Sequence, residues 1–170
     1  MASIFQGTLS GFVTASSVSS ARLQYDSIYK ENCHRIYSLA FWITGNELTA
    51  EQLSANTFLR AFATSQQPAR EHIDRAFLKE VRELAPVGTL TLNSTISAET
   101  EAIYGNIKRI HLEESVLQLP ATEKLIFLLH DVEGYQHGQI SSLLGLTEEE
   151  SRRGLHQARL QVRTLISKML

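Results

Sequence analysis

Apolar side chains recur along most of this chain at steps of three and four, the spacing that lines one face of an α-helix. The runs are separated by clusters of Gly, Pro, Asn and Ser. The first opens at Ala21, with Leu23, Ile28, Ile36, Leu39, Ala40 and Ile43 on the helical repeat and Tyr25, Tyr29, Tyr37, Phe41 and Trp42 beside them. Gly45-Asn46 then gives a turn or C-cap signal. A second run passes through Leu53, Thr57, Phe58, Ala61 and Phe62, with either Asn46 or Thr49 as its N-cap, and stops at Ser65-Gln66-Gln67-Pro68. A third covers 70–84 and buries Ile73, Phe77, Leu78, Val81 and Leu84. There Arg70, Arg75, Lys79 and Arg82 balance Glu71, Asp74, Glu80 and Glu83, which predicts a solvated face laced by pairs four residues apart.

Two stretches lack this periodicity. Residues 1–20 mix Ser, Thr and Gly with scattered Phe and Val, and read as a flexible N-terminal tail. Phe5 and Phe12 offer the alternative of docking on the folded part or on a partner. Residues 85–99 mix Pro, Gly, Ser and Thr with isolated apolar residues and read as a linker. A helix near 101–118 follows, and Pro120 opens a C-terminal unit. The reading is an all-α chain of two helical domains: a tail over 1–20, a first domain over 21–86, linker and connecting helix over 87–110, and a second domain over 111–170.

The most informative stretch is 119–165. An apolar helix (Leu125, Ile126, Leu128, Leu129) meets a Gly134-Tyr135 break. A short helix over 139–144 follows, then a Gly145-Leu146-Thr147 turn and a long basic helix. Two helices joined by a short Gly-containing turn form a helix-turn-helix, whose second helix is free to enter a DNA groove. That helix has no Asp or Glu from 151 to 170, and it carries Leu155, Ala158, Val162, Leu165 and Met169 as an apolar stripe. On another face, Arg152, His156, Arg159 and Arg163 recur at steps of four, three and four. Arg pairs bidentately with guanine, and cations neutralise phosphates, so Ser151, Arg152, Arg153, His156, Arg159 and Arg163 are the candidate DNA-binding residues. Glu148, Glu149 and Glu150 follow the N-cap candidate Thr147; they suit the helix dipole but repel phosphates. The competing reading is a helical hairpin whose basic face serves a protein partner.

Composition narrows the classes. The chain has 170 residues, 43% hydrophobic, with a formal net charge of −2, so any polyanion-binding surface arises from local clustering. No apolar run reaches the roughly 18 residues of a membrane span, and no signal-peptide pattern opens the chain. With Cys33 as its one cysteine, the chain suits a reducing compartment, and a soluble cytoplasmic protein is expected. No nucleophile motif, phosphate-binding Gly loop or zinc helix occurs, so neither catalysis nor a cofactor is expected. His130, Asp131, Glu133 and His137 are close in sequence. Adjacent residues diverge on a helix, however, and Gly134 breaks the register before His137, so no metal site is expected.

Taken together, the two halves resemble the extracytoplasmic-function (ECF) sigma factors. The C-terminal resemblance rests on Leu119-Pro120, Asp131-Val132-Glu133-Gly134-Tyr135, Gln139-Ile140, Leu144-Gly145-Leu146 and Leu155-His156-Gln157-Ala158-Arg159. The N-terminal one rests on Tyr25-Asp26-Ser27-Ile28-Tyr29, Tyr37-Ser38-Leu39-Ala40, Thr44-Gly45-Asn46, Ala50-Glu51-Gln52-Leu53 and Thr57-Phe58-Leu59-Arg60-Ala61-Phe62. The resemblance implies a region-two-like domain that binds core RNA polymerase and melts the promoter, and a region-four-like helix-turn-helix that reads promoter DNA. It implies polymerase contacts at Glu51, Gln52, Asn56 and Arg60, and an anti-sigma factor as a further partner, with no membrane partner.

Departures from the family pattern are concentrated on the functional surfaces. Gln52 and Asn56 stand where the family usually carries Asp and Glu, and Ala55 stands for a Gln, so two carboxylates leave that face. Leu84 and Ala85-Pro86 replace the Asn and the basic end of the next helix, where melting needs cations. Glu150-Ser151-Arg152-Arg153-Gly154 replaces a pattern of small residue, Lys, Ser and Arg. Two functions therefore stand side by side: a sigma-like transcription factor, or a sigma-fold interaction module that binds polymerase or an anti-sigma factor without initiating.

Overall fold

The computed structural model describes residues 15–92 and 107–170, with side chains from residue 22. Among these residues the fold is all-α. It comprises α1 (Ala15–Thr44), α2 (Glu47–Thr64), α3 (Arg70–Leu84), α4 (Arg109–Leu117), α5 (Ala121–Phe127), a π-helical turn (Leu128–Val132), α6 (His137–Leu144) and α7 (Glu148–Met169).

Helix α1 starts six residues earlier than the apolar periodicity does, so residues 15–20 of the expected tail are helical. Ser and Ala lack a repeat to read but cost a helix little, and a helix already nucleated propagates through them. The remainder of the tail, the expected helix over 101–106 and much of the linker lie outside the described residues. Gly45, at φ +65°, turns the chain out of α1, and Asn46 Oδ1 accepts the Thr49 N–H at 3.0 Å to cap α2. Such a cap satisfies one of the orphan donors of a helix start.

Helices α1, α2 and α3 pack as one lobe, and α4, α5 and α6 pack on α7 as the other. In the first lobe Ile36, Ala40, Ile73, Phe77 and Val81 are essentially sealed from solvent, and Tyr25 and Tyr29 brace α2 through Phe62 and Phe58, with ring centres 4.3 and 4.9 Å apart. In the second lobe Leu125, Ile126, Ile140, Leu155, Ala158 and Val162 form the centre. The stripe of α7 continues to Ile166 rather than Leu165: Ile166 lies four residues beyond Val162 and is 5% exposed, while Leu165 and Met169 are half-exposed.

The lobes are not independent. Helix α1 touches α4 and α5, α3 touches α6, and the buried residues of both halves form one contiguous cluster. The expected solvated face of α3 holds for Arg70, Glu71, Arg75, Lys79, Arg82 and Glu83, which are exposed, but two of its carboxylates turn inward and several of its charges make cross-element ties. Asp74 and Glu80 are 4% and 7% exposed. Asp74 is paired with Arg35 at 2.7 Å and Glu80 with Arg60. Arg70 reaches Glu133 of the other lobe at 2.8 Å and the Tyr135 hydroxyl at 2.8 Å. That hydroxyl donates to Asp74, and Arg35 lies 3.6 Å from Glu133. Burying a carboxylate is tolerable only with such partners. Arg75–Glu71, at 3.9 Å, is the loose i,i+4 pair that sequence spacing anticipates on this helix.

No described helix is long and apolar enough to cross a membrane.

Candidate nucleic-acid interface

Helices α6 and α7 form the expected helix-turn-helix. Gly145 sits in the left-handed region at φ +74°, and its N–H and that of Leu146 both return to the Ser141 carbonyl, at 2.9 and 3.0 Å. This is the C-terminal geometry that Gly favours, and it closes α6 without a gap before the next helix. Thr147 then starts α7 through a capping box: its hydroxyl accepts the Glu150 N–H at 3.1 Å, while Glu150 Oε2 accepts the Thr147 N–H at 2.8 Å. Those bonds hold the Glu150 carboxyl below its ordinary range.

The acidic run is thereby accounted for locally. Glu150 belongs to the cap. Glu148 is paired with Arg152 at 2.9 Å, one turn on, and lies against Gly138 of α6, where a Cβ would sit 3.1 Å from its Oε1. Glu149 remains exposed.

At about 100° per residue, Arg152, His156, Arg159 and Arg163 fall within about 60° of one another around α7. All four are exposed, as is Arg153 at the flank. Their availability differs. Arg159 grips Asp131 with two bonds, Nε at 3.0 Å and Nη2 at 2.6 Å. That grip raises the Arg159 guanidinium. Burial alone would raise the Asp131 carboxyl, but the Arg159 and His130 hydrogen bonds outweigh it and hold Asp131 down. Arg152 is tied to Glu148, so Arg153, His156 and Arg163 are the more available candidates, Arg153 lying within the electrostatic reach of Glu150. Ser151 is placed differently from the rest. It is fully buried, and its Oγ lies 2.9 Å from His137 Nδ1, so it fastens the start of α6 to α7.

The histidines correct the expectation that His130 and Asp131 diverge and that His137 falls out of register. The π-helical turn, marked by the Glu133 N–H bonding to the Leu128 carbonyl at 3.0 Å, brings His130 Nδ1 to Asp131 Oδ1 at 2.8 Å and stacks its ring on His137 at 4.8 Å. Burial, followed by electrostatic repulsion from the His130 ring and the Arg152 guanidinium, lowers the His137 imidazole. Among the described residues no three His, Cys, Asp or Glu side chains gather as a metal site.

The four candidate polymerase-contact residues on α2 do not share one surface. Gln52 and Asn56 line a shallow groove with Glu80, Glu83 and Leu84 of α3. Glu51 lines a separate groove against α1, with Tyr29, Cys33 and Tyr37. Arg60 is bound to Glu80 and to Glu83, the latter at 3.0 Å. Leu48 and Leu59 project from the same helix, 64% and 69% exposed. Side-chain polarity alone does not single out these leucines; their places off the helical register of the buried Ala50, Leu53 and Phe58 do.

Comparison with known proteins bears on both halves. Residues 110–162 match the family model described as Sigma-70, region 4, a segment that takes in α6 and α7 as far as residue 162. The chain is also similar to the ECF RNA polymerase sigma factor SigE of Mycolicibacterium smegmatis, 27% identical over 159 residues. That alignment takes in 85% of this chain and 62% of the relative, so the chain spans under two thirds of that relative's length.

Proposed function

We propose, on the premise of a sigma factor of the ECF type, that this chain is a transcription factor that joins core RNA polymerase to promoter DNA. The α6–α7 helix-turn-helix would take the DNA and the exposed face of α2 the polymerase. The observation that carries the reading is the α7 surface: on a helix that a sigma-70 region 4 match covers as far as residue 162, cations gather on one solvent-facing sector beside the buried stripe. Cations so placed neutralise phosphates and read base edges, and they perform no bond chemistry of their own. Arg153, His156 and Arg163 would make the first contacts, and Arg159 would join by exchanging Asp131 for a phosphate. Leu48, Gln52, Asn56 and Leu59 supply a mixed apolar and polar patch of the kind that partner proteins bury.

The test is promoter-specific transcription by core polymerase supplemented with this protein. Stimulation that disappears in an Arg153→Ala/Arg163→Ala variant is the expected result. Absence of any stimulation at low salt, with core polymerase bound, refutes it.

That second outcome would support the other reading, a sigma-fold interaction module. One observation favours it: Arg152 and Arg159 are already neutralised by Glu148 and Asp131, which leaves a thinner cationic surface. An anti-sigma factor would be the alternative partner of such a module.

A further inference from the structure

The segment 88–92 is bound to the C-terminal lobe at three points. The Gly88 N–H donates to Thr122 Oγ1 at 3.2 Å. The N–H groups of Thr91 and Leu92 both donate to Glu123 Oε1, the latter at 2.7 Å. Between them, Leu90 lies over Gly154 of α7, in a notch that exists because that residue has no side chain. A Cβ there would meet Leu90 Cδ2 at 2.8 Å and Ile126 Cδ1 at 2.6 Å.

Glu123 is unusual in two respects. It is fully buried, and its second oxygen, Oε2, is buried with no hydrogen-bond partner among the described residues. A carboxylate buried with one oxygen unsatisfied is costly for stability alone. The bonds it does make reach the strand of chain that leaves α3.

We propose that residues 88–92 are an internal strap that holds the two lobes closed, and that its release from the Glu123–Gly154 notch is what lets them part. The geometry sets the scale. Helix α3 ends at Leu84, and with Gly88 docked only residues 85–87 intervene, so the end of α3 stays within about 14 Å of the C-terminal lobe. While docked, the strap keeps α3 beside α6, where Arg82 Nη2 also donates to the Leu143 carbonyl at 3.1 Å. The groove between these helices, of about 490 Å³, is lined by Arg70, Glu71 and Arg75 from one side and Gln139 and Ser142 from the other. It has room for a small molecule and none for a duplex. Gln139 and Ser142 stay open to solvent there, but α3 stands too close for a duplex to reach that face of α6. That consequence for DNA rests on the function proposed above, while the strap itself does not.

The experiment uses the full chain carrying Cys33→Ser, with spin labels at Leu48→Cys and Ser167→Cys. Interlabel distances are read alongside hydrogen exchange of the Thr91 and Leu92 amides. Two variants release the strap differently. Leu90→Ser removes its apolar anchor outside any helix. Gly154→Ala fills the notch with a methyl group that α7 otherwise favours. In both, the two amides lose protection and a population appears at interlabel distances longer than any in the parent distribution. DNA affinity rises severalfold with them.

Amides that exchange freely while the distances stay fixed overturn the strap as the closure. Amides that remain protected in both variants overturn the notch as its anchor. Distances that lengthen with no DNA binding at any salt uphold the strap and refute the DNA-reading function instead.

Discussion

Asp74 and Tyr135 lie 61 positions apart in the chain and on different lobes, yet the Tyr135 hydroxyl donates to the Asp74 carboxylate. Burial, then that hydrogen bond and the carboxylate charge, push the phenol pKa up, so the hydroxyl keeps the proton it donates. A hydrogen bond to a charged group contributes about 1.5–3 kcal/mol, and with Tyr135 half-exposed about 1–2 kcal/mol is expected here. Tyr135→Phe should cost that amount. Asp74→Ala also strands Arg35, whose side chain is 14% exposed. Breaking a buried pair costs about 3–5 kcal/mol. Glu133, 3.6 Å from Arg35, takes up part of the loss, so about 2–3 kcal/mol is expected. With a urea slope near 2 kcal/mol/M, the unfolding midpoint of Asp74→Ala falls by roughly 1–1.5 M. The decisive quantity is the coupling in the Asp74→Ala/Tyr135→Phe cycle, followed by urea unfolding with far-ultraviolet circular dichroism. A coupling of about 1–2 kcal/mol is expected; additivity within about 0.5 kcal/mol means that the lobes do not meet through this pair in solution.

Other predictions follow from single sites. Phe77→Ala, in the sealed centre of the first lobe, should cost about 3–5 kcal/mol and lower the melting temperature by about 10 °C or more; a loss under about 1 kcal/mol would contradict that packing. Asn46→Ala, removing the α2 cap, should cost about 1 kcal/mol, and Asn46→Ser should recover most of it in the same thermal melt. His137 titrates below its ordinary value of 6.5 in the folded chain, so the unfolded chain binds its proton first. Its contribution is therefore fully present above about pH 6.5 and is lost as pH falls through the lower folded value. His137→Gln should flatten the stability profile as pH falls below about 6.5, and an unchanged slope there would remove His137 as a cause. Arg163→Ala should weaken DNA binding across sequences and reduce the salt slope by about one unit, whereas an unchanged slope would place Arg163 off the phosphates.

What could be read from the sequence divides along a physical line. Helix α3 occupies 70–84 as its apolar spacing predicts, although its last apolar residue, Leu84, is exposed rather than buried, and the Gly45-Asn46 and Gly145-Leu146-Thr147 signals mark real helix ends, because periodicity and capping are local properties. The charges of α3 were not legible. Asp74 and Arg70 meet partners 39 to 65 positions away, and no local spacing distinguishes such a carboxylate from one facing water. The same holds for Ser151, which reads as a polar residue beside arginines until His137 is seen against it. On the candidate DNA surface the sequence supplied the cations and their sector. It did not supply Asp131, whose grip on Arg159 depends on how the preceding turn is wound. The strap left a fainter trace: Gly154 within a long helix, where glycine costs about 1 kcal/mol against alanine, signals a close approach without naming Leu90.

The π-helical turn at Leu128–Val132 has a consequence for how this molecule tolerates length change. Such a turn is a helix holding one residue more than its hydrogen-bond ladder needs, and one residue is worth about 100° of rotation. Asp131 within it, toward Arg159, and Glu133 and Tyr135 after it, toward α3, are aimed by that phase offset. A one-residue deletion here would leave a well-formed α-helix whose downstream side chains point about a quarter-turn away from their present partners. The two lobes would each retain their own helices and lose their agreement with one another.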